Sequence, residues 1–178
     1  MKNIQPSEFN EASDTVQFLE NTRARVTKTY FFYEGEWYED PVAWNNGDED
    51  TFDVFQGFLA NFSAKDVVFS SSGKVLDKPI QIDCATDQLQ YVMIGNPTPV
   101  DITMKDIEVV SFNEASDTLQ LLDNARARVV KTYFAYEGDW YENPADWNVA
   151  SDDVFYANTS MLSNFSAKDV VLNFPSAL

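Results

Sequence analysis

The sequence predicts a β-rich α+β fold built from two similar halves, with an all-β, sandwich-like arrangement as the alternative. The first reason is an internal repeat: residues 1–75 align without a gap on 104–178, and 41 of the 75 aligned positions are identical. The second is that β-branched and aromatic runs flank turn signals such as Glu34-Gly35. The third is that two stretches place apolar residues at helical spacing.

The repeat contains two long identical phrases. "FNEASDT" occupies 9–15 and again 112–118, and "NFSAKDVV" occupies 61–68 and again 164–171. Such identity indicates a duplication. The period of 103 residues exceeds the units of solenoid proteins, which run to about 20–50 residues, and it suits two copies of a small domain.

The repeat also predicts how the chain is divided. A 75-residue copy is small for an independent core. We therefore expect the two copies to pack as a pseudo-twofold pair, like an isologous dimer; two independently folded copies are the alternative. The predicted parts are a first repeat at 1–75, an unduplicated connector with strands at 76–103 and a second repeat at 104–178.

The first element of each copy is ambiguous. Residues 11–26 are predicted to form a helix, because their apolar residues recur near helical spacing and Ser13 or Asp14 can cap it. The alternative is two strands, "TVQFL" and "RARVTKTYFFY", joined by a turn at Glu20-Asn21.

A β-hairpin follows. In "VTKTYFFYEGEWYE" (26–39), β-branched and aromatic residues surround Glu34-Gly35, which is typical of a tight hairpin turn. The second copy retains the same turn as Glu137-Gly138.

The remaining elements are predicted from shorter signals. "TFDVFQGFLANF" (51–62) has phenylalanines at helical spacing and is predicted to be a helix. "KDVVF" (65–69) is predicted to be a strand that leads to a turn at Ser72-Gly73. Further strands are predicted at 79–83, 89–94 and 100–110.

Composition excludes several partner classes. The net charge is −17, and it divides into −7 for 1–75, −3 for 76–103 and −7 for 104–178. A negative field repels nucleic acid phosphates and anionic membrane surfaces, so we expect neither direct nucleic acid binding nor membrane binding. The N-terminus lacks the apolar core of a signal peptide. We expect a cytoplasmic protein, or part of a particle assembled in the cytoplasm.

Composition also argues against catalysis. The chain has no histidine, which removes the commonest general base and zinc ligand. A phosphate-binding loop and a dinucleotide fingerprint are both absent. The single cysteine, Cys84, follows an alternating strand and is predicted to be buried. We therefore expect a protein that is not an enzyme and that needs no cofactor.

One acidic run gives a weak metal prediction. "NNGDEDTFD" (45–53) resembles a calcium loop, but its glycine precedes Asp48 and the late glutamate is missing. The second copy loses most of these acids. We predict at most a weak calcium site at Asp48 and Asp50.

Aromatic residues near the hairpin turn are the candidate site. Successive side chains of a β-hairpin point to opposite faces, so some of these aromatic rings must lie at a surface. Trp and Tyr are enriched at protein interfaces. Tyr30, Phe31 and Trp44 are expected to pack in the core. The candidate partner-binding residues, which lie next to the turn in each copy, are Trp37, Tyr38, Trp140 and Tyr141.

Four basic residues recur at matched positions in the two copies. We expect them to pair with nearby acids such as Asp14, Glu34 or Asp66. They are Arg23, Arg25, Lys28 and Lys65, matched by Arg126, Arg128, Lys131 and Lys168.

Together these features predict a non-enzymatic structural or protein-interaction protein. It would dock on a protein partner or associate with itself, within a larger assembly such as a virion or filament. Two alternatives remain: an acidic DNA mimic that inhibits a nucleic-acid-binding protein, and a carbohydrate-binding module that uses exposed Trp and Tyr.

Overall fold

The chain forms two compact units in the computed structural model. Unit 1 takes in Met1–Glu20, Arg25–Asp53 and Phe58–Lys74, and unit 2 takes in Val75–Leu178 with the short segments Asn21–Ala24 and Val54–Gly57. The structure describes residues 1–11, 13–19, 25–40, 42–52, 56–63, 66–71, 77–84, 91–114, 116–123, 126–166 and 169–176.

Unit 1 consists of antiparallel strands. A five-stranded sheet has the order β5-β4-β3-β2-β6, and a two-stranded sheet pairs β1 with β7. The strands are β1 (Ile4–Ser7), β2 (Thr15–Leu19), β3 (Val26–Tyr33), β4 (Glu36–Glu39), β5 (Asn45–Asn46), β6 (Leu59–Asn61) and β7 (Val68–Ser71).

Unit 2 is also antiparallel and has additional strands. They are β8 (Ile80–Asp83), β9 (Met93–Gly95), β10 (Ile102–Thr103), β11 (Glu108–Val110), β12 (Thr118–Leu122), β13 (Val129–Tyr136), β14 (Asp139–Glu142), β15 (Asn148–Val149), β16 (Val154–Phe155), β17 (Ser160–Asn164) and β18 (Val171–Phe174). Three sheets result, with the orders β15-β14-β13-β12-β17-β9, β11-β18-β8 and β10-β16. A 3-10 helix at Met104–Asp106 is the one helical element in the described residues.

The prediction of helices is wrong, and the all-β alternative describes the secondary structure. Within 11–26, Val16 and Phe18 are buried and alternate with less buried residues in β2, which pairs with β3 and β6. A five-residue strand and a helical turn share much of the same apolar spacing, and sheet pairing decides between them. The turn predicted at Glu20-Asn21 lies outside the described residues.

The helix predicted at 51–62 is also wrong where the chain is described. Leu59–Asn61 is strand β6, and residues 53–55 lie outside the described part. The predicted strand in "KDVVF" begins at Val68 as β7. The turn predicted at Ser72-Gly73 is outside the described residues.

The hairpin prediction is confirmed in both units. Strands β3 and β4 pair antiparallel on either side of Glu34 and Gly35, whose φ angles are 49° and 89°. Positive φ at both central residues defines a type I′ turn, whose twist matches that of the strands. The equivalent residues Glu137 and Gly138 have φ angles of 50° and 88°.

The predicted strands of 76–110 are confirmed in part. Ile80–Asp83 forms β8 and Met93–Gly95 forms β9, while residues 85–90 lie outside the described part. The strand predicted at 100–110 is divided into β10 and β11 by the 3-10 helix Met104–Asp106.

Each unit has its own hydrophobic cluster. Met1, Val16, Phe18, Tyr30 and Trp37 form the buried cluster of unit 1. In unit 2 one cluster joins side chains of the six-stranded sheet to side chains of the three-stranded sheet. Full burial of a large apolar side chain stabilises a fold by about 1.5–3 kcal/mol, so these clusters hold the sheets in place.

Two further features of the described residues bear on the sequence predictions. Cys84 is buried in unit 2, as the alternation around it predicted, and its side chain is 4% exposed. In the part of the chain that the structure describes, no helix has the length and apolar character needed to cross a membrane.

Candidate functional site: a duplicated aromatic surface

Strand pairing sorts the hairpin aromatics onto two faces. Directly opposed residues of an antiparallel pair share a face. Phe32 lies opposite Trp37 on the core face, and Phe31 lies opposite Tyr38 on the other face. The structure therefore separates Trp37 from Tyr38, which adjoin in sequence.

The face away from the core carries what we call the outer aromatic cluster. It consists of Phe31, Tyr33, Tyr38 and Trp44 in unit 1, and of Phe134, Tyr136, Tyr141 and Trp147 in unit 2. In unit 1 the Trp44 ring meets Phe31 edge-on, with centroids 5.0 Å apart and an interplanar angle of 85°. Phe31 also stacks on Tyr38 at 5.6 Å and 25°.

Unit 2 reproduces this arrangement closely. Trp147 meets Phe134 at 5.1 Å and 84°, and Phe134 stacks on Tyr141 at 5.6 Å and 26°. Val149 lies opposite Tyr141 across β14 and β15, so it extends the same face, and it is 74% exposed. The cluster is therefore a repeated feature of the fold and is enlarged in unit 2.

A tryptophan stands exposed at the centre of each cluster. Trp44 is 49% exposed and Trp147 is 48% exposed, whereas Phe31 beneath Trp44 is only 5% exposed. Sequence analysis expected Trp44 in the core, and that expectation is wrong. One side of the Trp44 indole covers Phe31, and the other side of the indole is open to solvent.

The backbone at these two tryptophans is strained. Trp44 and Trp147 both have φ of 53°, in the left-handed region, which a bulky side chain rarely adopts and which costs about 1–3 kcal/mol. The strained turn is closed by hydrogen bonds donated from Trp44 N to Asp40 O at 2.9 Å and from Trp147 N to Asn143 O at 3.0 Å. Both units thus keep an unfavourable backbone conformation that holds an indole at the surface.

Carboxylates border the clusters. Glu34 and Glu36 are exposed beside the unit 1 cluster, and Tyr38 OH donates a hydrogen bond of 2.9 Å to Glu36 Oε2. Electrostatic repulsion from Glu34 raises the pKa of Tyr33, and the hydrogen bond to Glu36 raises the pKa of Tyr38. In unit 2 the exposed carboxylates beside the turn are Glu137 and Asp139. The clusters are therefore aromatic surfaces in a negative field.

The structure divides the four residues that sequence analysis selected. Trp37 is 0% exposed and Trp140 is 2% exposed, and their Nε1 atoms donate hydrogen bonds to Ile4 O at 2.8 Å and to Ile107 O at 3.0 Å. These two indoles are core residues and are unavailable to a partner in the folded protein. Tyr38 and Tyr141 are half-buried members of the outer clusters.

The core face carries a duplicated polar network at its rim. Lys28 Nζ lies 3.2 Å from Glu39 Oε2 and 3.1 Å from Asp50 Oδ2, and Tyr30 OH donates to the same Asp50 oxygen. Lys131 makes the equivalent contacts with Glu142 at 3.0 Å and Asp153 at 2.7 Å.

The predicted pairing of Lys28 and Lys131 with acids is thus confirmed. Their partners are the acids just described, not the ones that sequence analysis suggested, Asp14, Glu34 and Asp66. Three of the other matched bases, Arg23, Lys65 and Lys168, lie outside the described residues.

The calcium prediction gains no support. Asp48 Oδ1 accepts a hydrogen bond of 2.8 Å from Trp37 N, and Asp50 binds Tyr30 and Lys28. Among the described residues, no group of three or more His, Cys, Asp or Glu side chains is placed to hold a metal ion. Both carboxylates therefore have a structural role as turn and network partners.

Comparisons of the chain with protein-family models, with curated proteins and with solved structures find no match. Function must accordingly be inferred from the residues themselves. The outer aromatic clusters are the strongest candidate, because the same four rings occur twice with the same geometry.

Sequence reasoning missed Trp44 and Trp147 for a specific reason. They follow strand β4 or β14 in a short turn, and nothing in the local pattern shows on which face of the sheet that turn lies. Counting pairs outward from Glu34-Gly35 would have placed Phe31 and Tyr38 on one face and Phe32 and Trp37 on the other. It would not have shown which face is the core.

Proposed function

We propose that this chain is a non-enzymatic interaction protein whose outer aromatic clusters bind a positively charged, arginine- or lysine-bearing segment of a partner protein. The partner would be a neighbouring subunit of a larger assembly, such as a virion or filament. One observation carries the proposal: each unit holds a half-exposed tryptophan, Trp44 or Trp147, in a strained turn over the same three rings.

Exposure of the indoles supports a binding role. Strained backbone conformations persist only where the surrounding structure enforces them, and they are concentrated at functional sites. Tryptophan and tyrosine dominate the energetics of protein interfaces. A packing role alone would be met by burying Trp44, as Trp37 is buried.

The charge around the clusters supports a cationic ligand. The chain carries a net charge of −17, and Glu34 and Glu36 adjoin the unit 1 cluster. A guanidinium or ammonium group over an indole face gains about 0.5–2 kcal/mol from cation–π attraction. The nearby carboxylates add attraction that salt screens.

We further propose that 1–75 and 104–178 are two copies of one module, joined by the connector 76–103 and packed as a pseudo-twofold pair. Strand bounds support the common module, because Val26–Tyr33 and Val129–Tyr136 differ by the sequence offset of 103 residues. Scanning calorimetry of the full chain tests the pairing. One cooperative transition is expected for copies that complete each other, and two separate transitions would contradict it.

The binding proposal is tested with a seven-residue peptide of alternating glycine and arginine, titrated into the full chain and followed by isothermal titration calorimetry, which does not depend on the tryptophans that are replaced. Binding is expected to weaken as salt is raised. Replacing both Trp44→Ala and Trp147→Ala should weaken it at least about tenfold, because truncating an interface anchor costs about 2 kcal/mol or more.

Two controls accompany this titration. The conservative pair Trp44→Tyr and Trp147→Tyr keeps an aromatic ring and should retain part of the affinity. Tyr156→Ala removes a ring that is 58% exposed outside both clusters and should leave binding unchanged. Binding that survives loss of both cluster tryptophans would refute the proposal.

Other ligands, together with the double tryptophan variant, distinguish this proposal from the two alternative functions. Binding of uncharged oligosaccharides, with no binding of the arginine peptide, would favour the carbohydrate-binding module. DNA mimicry rests on net charge alone. It would be favoured by a basic nucleic-acid-binding protein that captures the wild-type chain and the double tryptophan variant equally.

A further inference from the structure

The unduplicated segment gives unit 2 three strands that have no counterpart among the described residues of unit 1. They are β8, β9 and β10, and all three come from 76–103, the segment that occurs once in the sequence. Two of them cover the edge of a duplicated strand, since β8 pairs with β18 and β9 pairs with β17. The third, β10, pairs with β16, whose counterpart residues Thr51 and Phe52 do not form a strand.

The matching edges of unit 1 are uncovered within the part of the chain that the structure describes. At the offset of 103 residues, β18 corresponds to β7 and β17 corresponds to β6. Strand β7 is paired with β1 alone and β6 with β2 alone. An uncovered edge offers a row of backbone donors and acceptors to another strand.

Residues beside these edges of unit 1 are more exposed than their counterparts in unit 2, as expected if no described strand of unit 1 is equivalent to β8 or β9. Leu172 and Phe165 are 0% exposed in unit 2, whereas their counterparts Phe69 and Phe62 are only partly buried. Val68, at the start of β7, is 55% exposed. Apolar surface that β8 helps to cover in unit 2 therefore stays accessible along β7.

Larger side chains fill part of this space in unit 1. Phe69 stands where unit 2 has Leu172, and Phe58 stands where unit 2 has Met161. The ring of Phe69 contacts those of Phe58 and Phe62, with centroids 5.8 Å apart for Phe58–Phe69 and 5.4 Å apart for Phe62–Phe69. They shield one another without supplying the backbone partners that β8 supplies to β18.

We infer that the edge of β7 that no described strand pairs with is a β-strand acceptor, which takes an added antiparallel strand from a partner protein in the position that β8 occupies beside β18. The expected donor is an extended segment with branched aliphatic residues at alternate positions, as in Ile80-Gln81-Ile82-Asp83. Such augmentation derives affinity from backbone hydrogen bonds and specificity from alternate side chains. This surface is separate from the outer aromatic clusters.

The register in unit 2 shows what the added strand would contact. Val171 lies opposite Asp83 and Leu172 lies opposite Ile82. Val68 and Phe69 take the same places in unit 1. An acidic residue of the donor therefore comes to lie beside Val68, and an aliphatic one beside Phe69.

A synthetic peptide of residues 77–84, with Cys84→Ser, is the probe. It is added at up to about 1 mM to the isotope-labelled full chain, and amide shifts are recorded. Saturable shifts are expected along Val68–Ser71 and its neighbour β1. The native β8 is tethered beside β18 and holds that place at a high effective concentration, so Val171–Phe174 should change little.

Two matched probes examine strand pairing and register. In unit 2 Cys84 N donates to Val170 O at 2.9 Å, so the N–H of Ile82, two residues away, also faces the paired strand. A peptide carrying Ile82→Pro loses that backbone donor and should not bind, whereas Gln81→Pro removes an N–H that points away and should be tolerated better. In the chain, Val68→Lys should tighten binding of the unmodified peptide about two- to fivefold through attraction to Asp83, and Val68→Glu should weaken it similarly.

Three outcomes would overturn the inference. They are no saturable shift at the highest peptide concentration, equal binding of the Ile82→Pro peptide, and shifts confined to unit 2. Loss of arginine-peptide binding in the double tryptophan variant leaves this experiment unaffected, so the two proposals fail independently.

Discussion

Asp14 binds Ser63 across 49 residues of chain, and this contact joins the two phrases that the sequence repeats. Asp14 Oδ1 accepts hydrogen bonds from Ser63 N at 2.6 Å and from Ser63 Oγ at 2.8 Å, while Oδ2 accepts from Asn10 N at 2.9 Å. Asp117 and Ser166 form the same pair in unit 2. Asp14 and Asp117 are both 0% exposed. The repeated phrases therefore contain a structural clamp.

Removing the clamp carboxyl should destabilise unit 2. Asp117→Ala removes the buried acceptor of three hydrogen bonds donated by Asn113 N, Ser166 N and Ser166 Oγ, so we expect the free energy of unfolding to fall by about 1–3 kcal/mol. Asp117→Asn keeps one acceptor oxygen and should lose less. Ser166→Ala removes one hydroxyl and should lose about 1 kcal/mol. Guanidinium unfolding followed by fluorescence ranks the three variants by their loss in free energy of unfolding. Equal losses for all three would contradict a stabilising role for the Asp117 carboxylate.

The Lys–Tyr–Asp networks predict loss of stability at high pH. Burial, with the hydrogen bond donated to Asp50, raises the pKa of Tyr30 to about 12, and burial raises the pKa of Tyr133 further. A pKa that is higher in the folded than in the unfolded chain favours folding below the unfolded value, which is about 10 for tyrosine. This contribution is lost as pH rises from about 10 through 12.

Tyrosinate absorbance during an alkaline titration measures this effect. We expect Tyr30 and Tyr133 to ionise last among the eight tyrosines, together with unfolding. The variant with Tyr30→Phe and Tyr133→Phe should show a shallower fall in stability over the same pH range. An unchanged profile would show that other groups control alkaline unfolding.

The four tryptophans should divide into two classes in a quenching experiment. Trp37 and Trp140 are buried, and Trp44 and Trp147 are about half exposed. Acrylamide, which is uncharged, should therefore quench only part of the native emission. Replacing Trp44→Phe and Trp147→Phe should remove the accessible part and shift the remaining emission to shorter wavelength. Uniform quenching of all four indoles would contradict the assigned burial.

A buried hydroxyl offers a stabilising substitution. Thr118 Oγ1 is inaccessible to solvent and has no hydrogen-bond partner among the described residues. An unsatisfied buried polar group costs about 1–3 kcal/mol, and valine keeps the shape and β-branching. Thr118→Val should thus raise the free energy of unfolding by about 1 kcal/mol.

Thr159→Val is the matched control for this substitution. Thr159 Oγ1 donates a hydrogen bond of 2.7 Å to Tyr156 O, so the same chemical change should lower stability there. Thermal unfolding of the two variants compares them directly. If both lower the melting temperature, the hydroxyl of Thr118 has a partner in solution.

Much of the local structure could be predicted because its causes are local. The turn at Glu34-Gly35 needs two residues with positive φ, and glycine at the second position supplies one of them at low cost. Alternation around Ile80 and Ile82 likewise predicted a strand and the burial of Cys84. The candidate site was harder to predict, since only Tyr38 and Tyr141 of the four selected residues lie in the outer clusters.

The sequence by itself determined the repeat, the hairpin turns and the acidic, histidine-free composition, because these depend on residue identity or on neighbours a few positions apart. Only the tertiary structure decided that Thr15–Leu19 is a strand, that Trp37 is buried and that Trp44 is exposed. An apolar run in a short segment fits more than one conformation and either face of a sheet. Contacts between residues distant in sequence decide between these possibilities, such as the hydrogen bonds from Trp37 Nε1 to Ile4 O and from Ser63 N to Asp14 Oδ1.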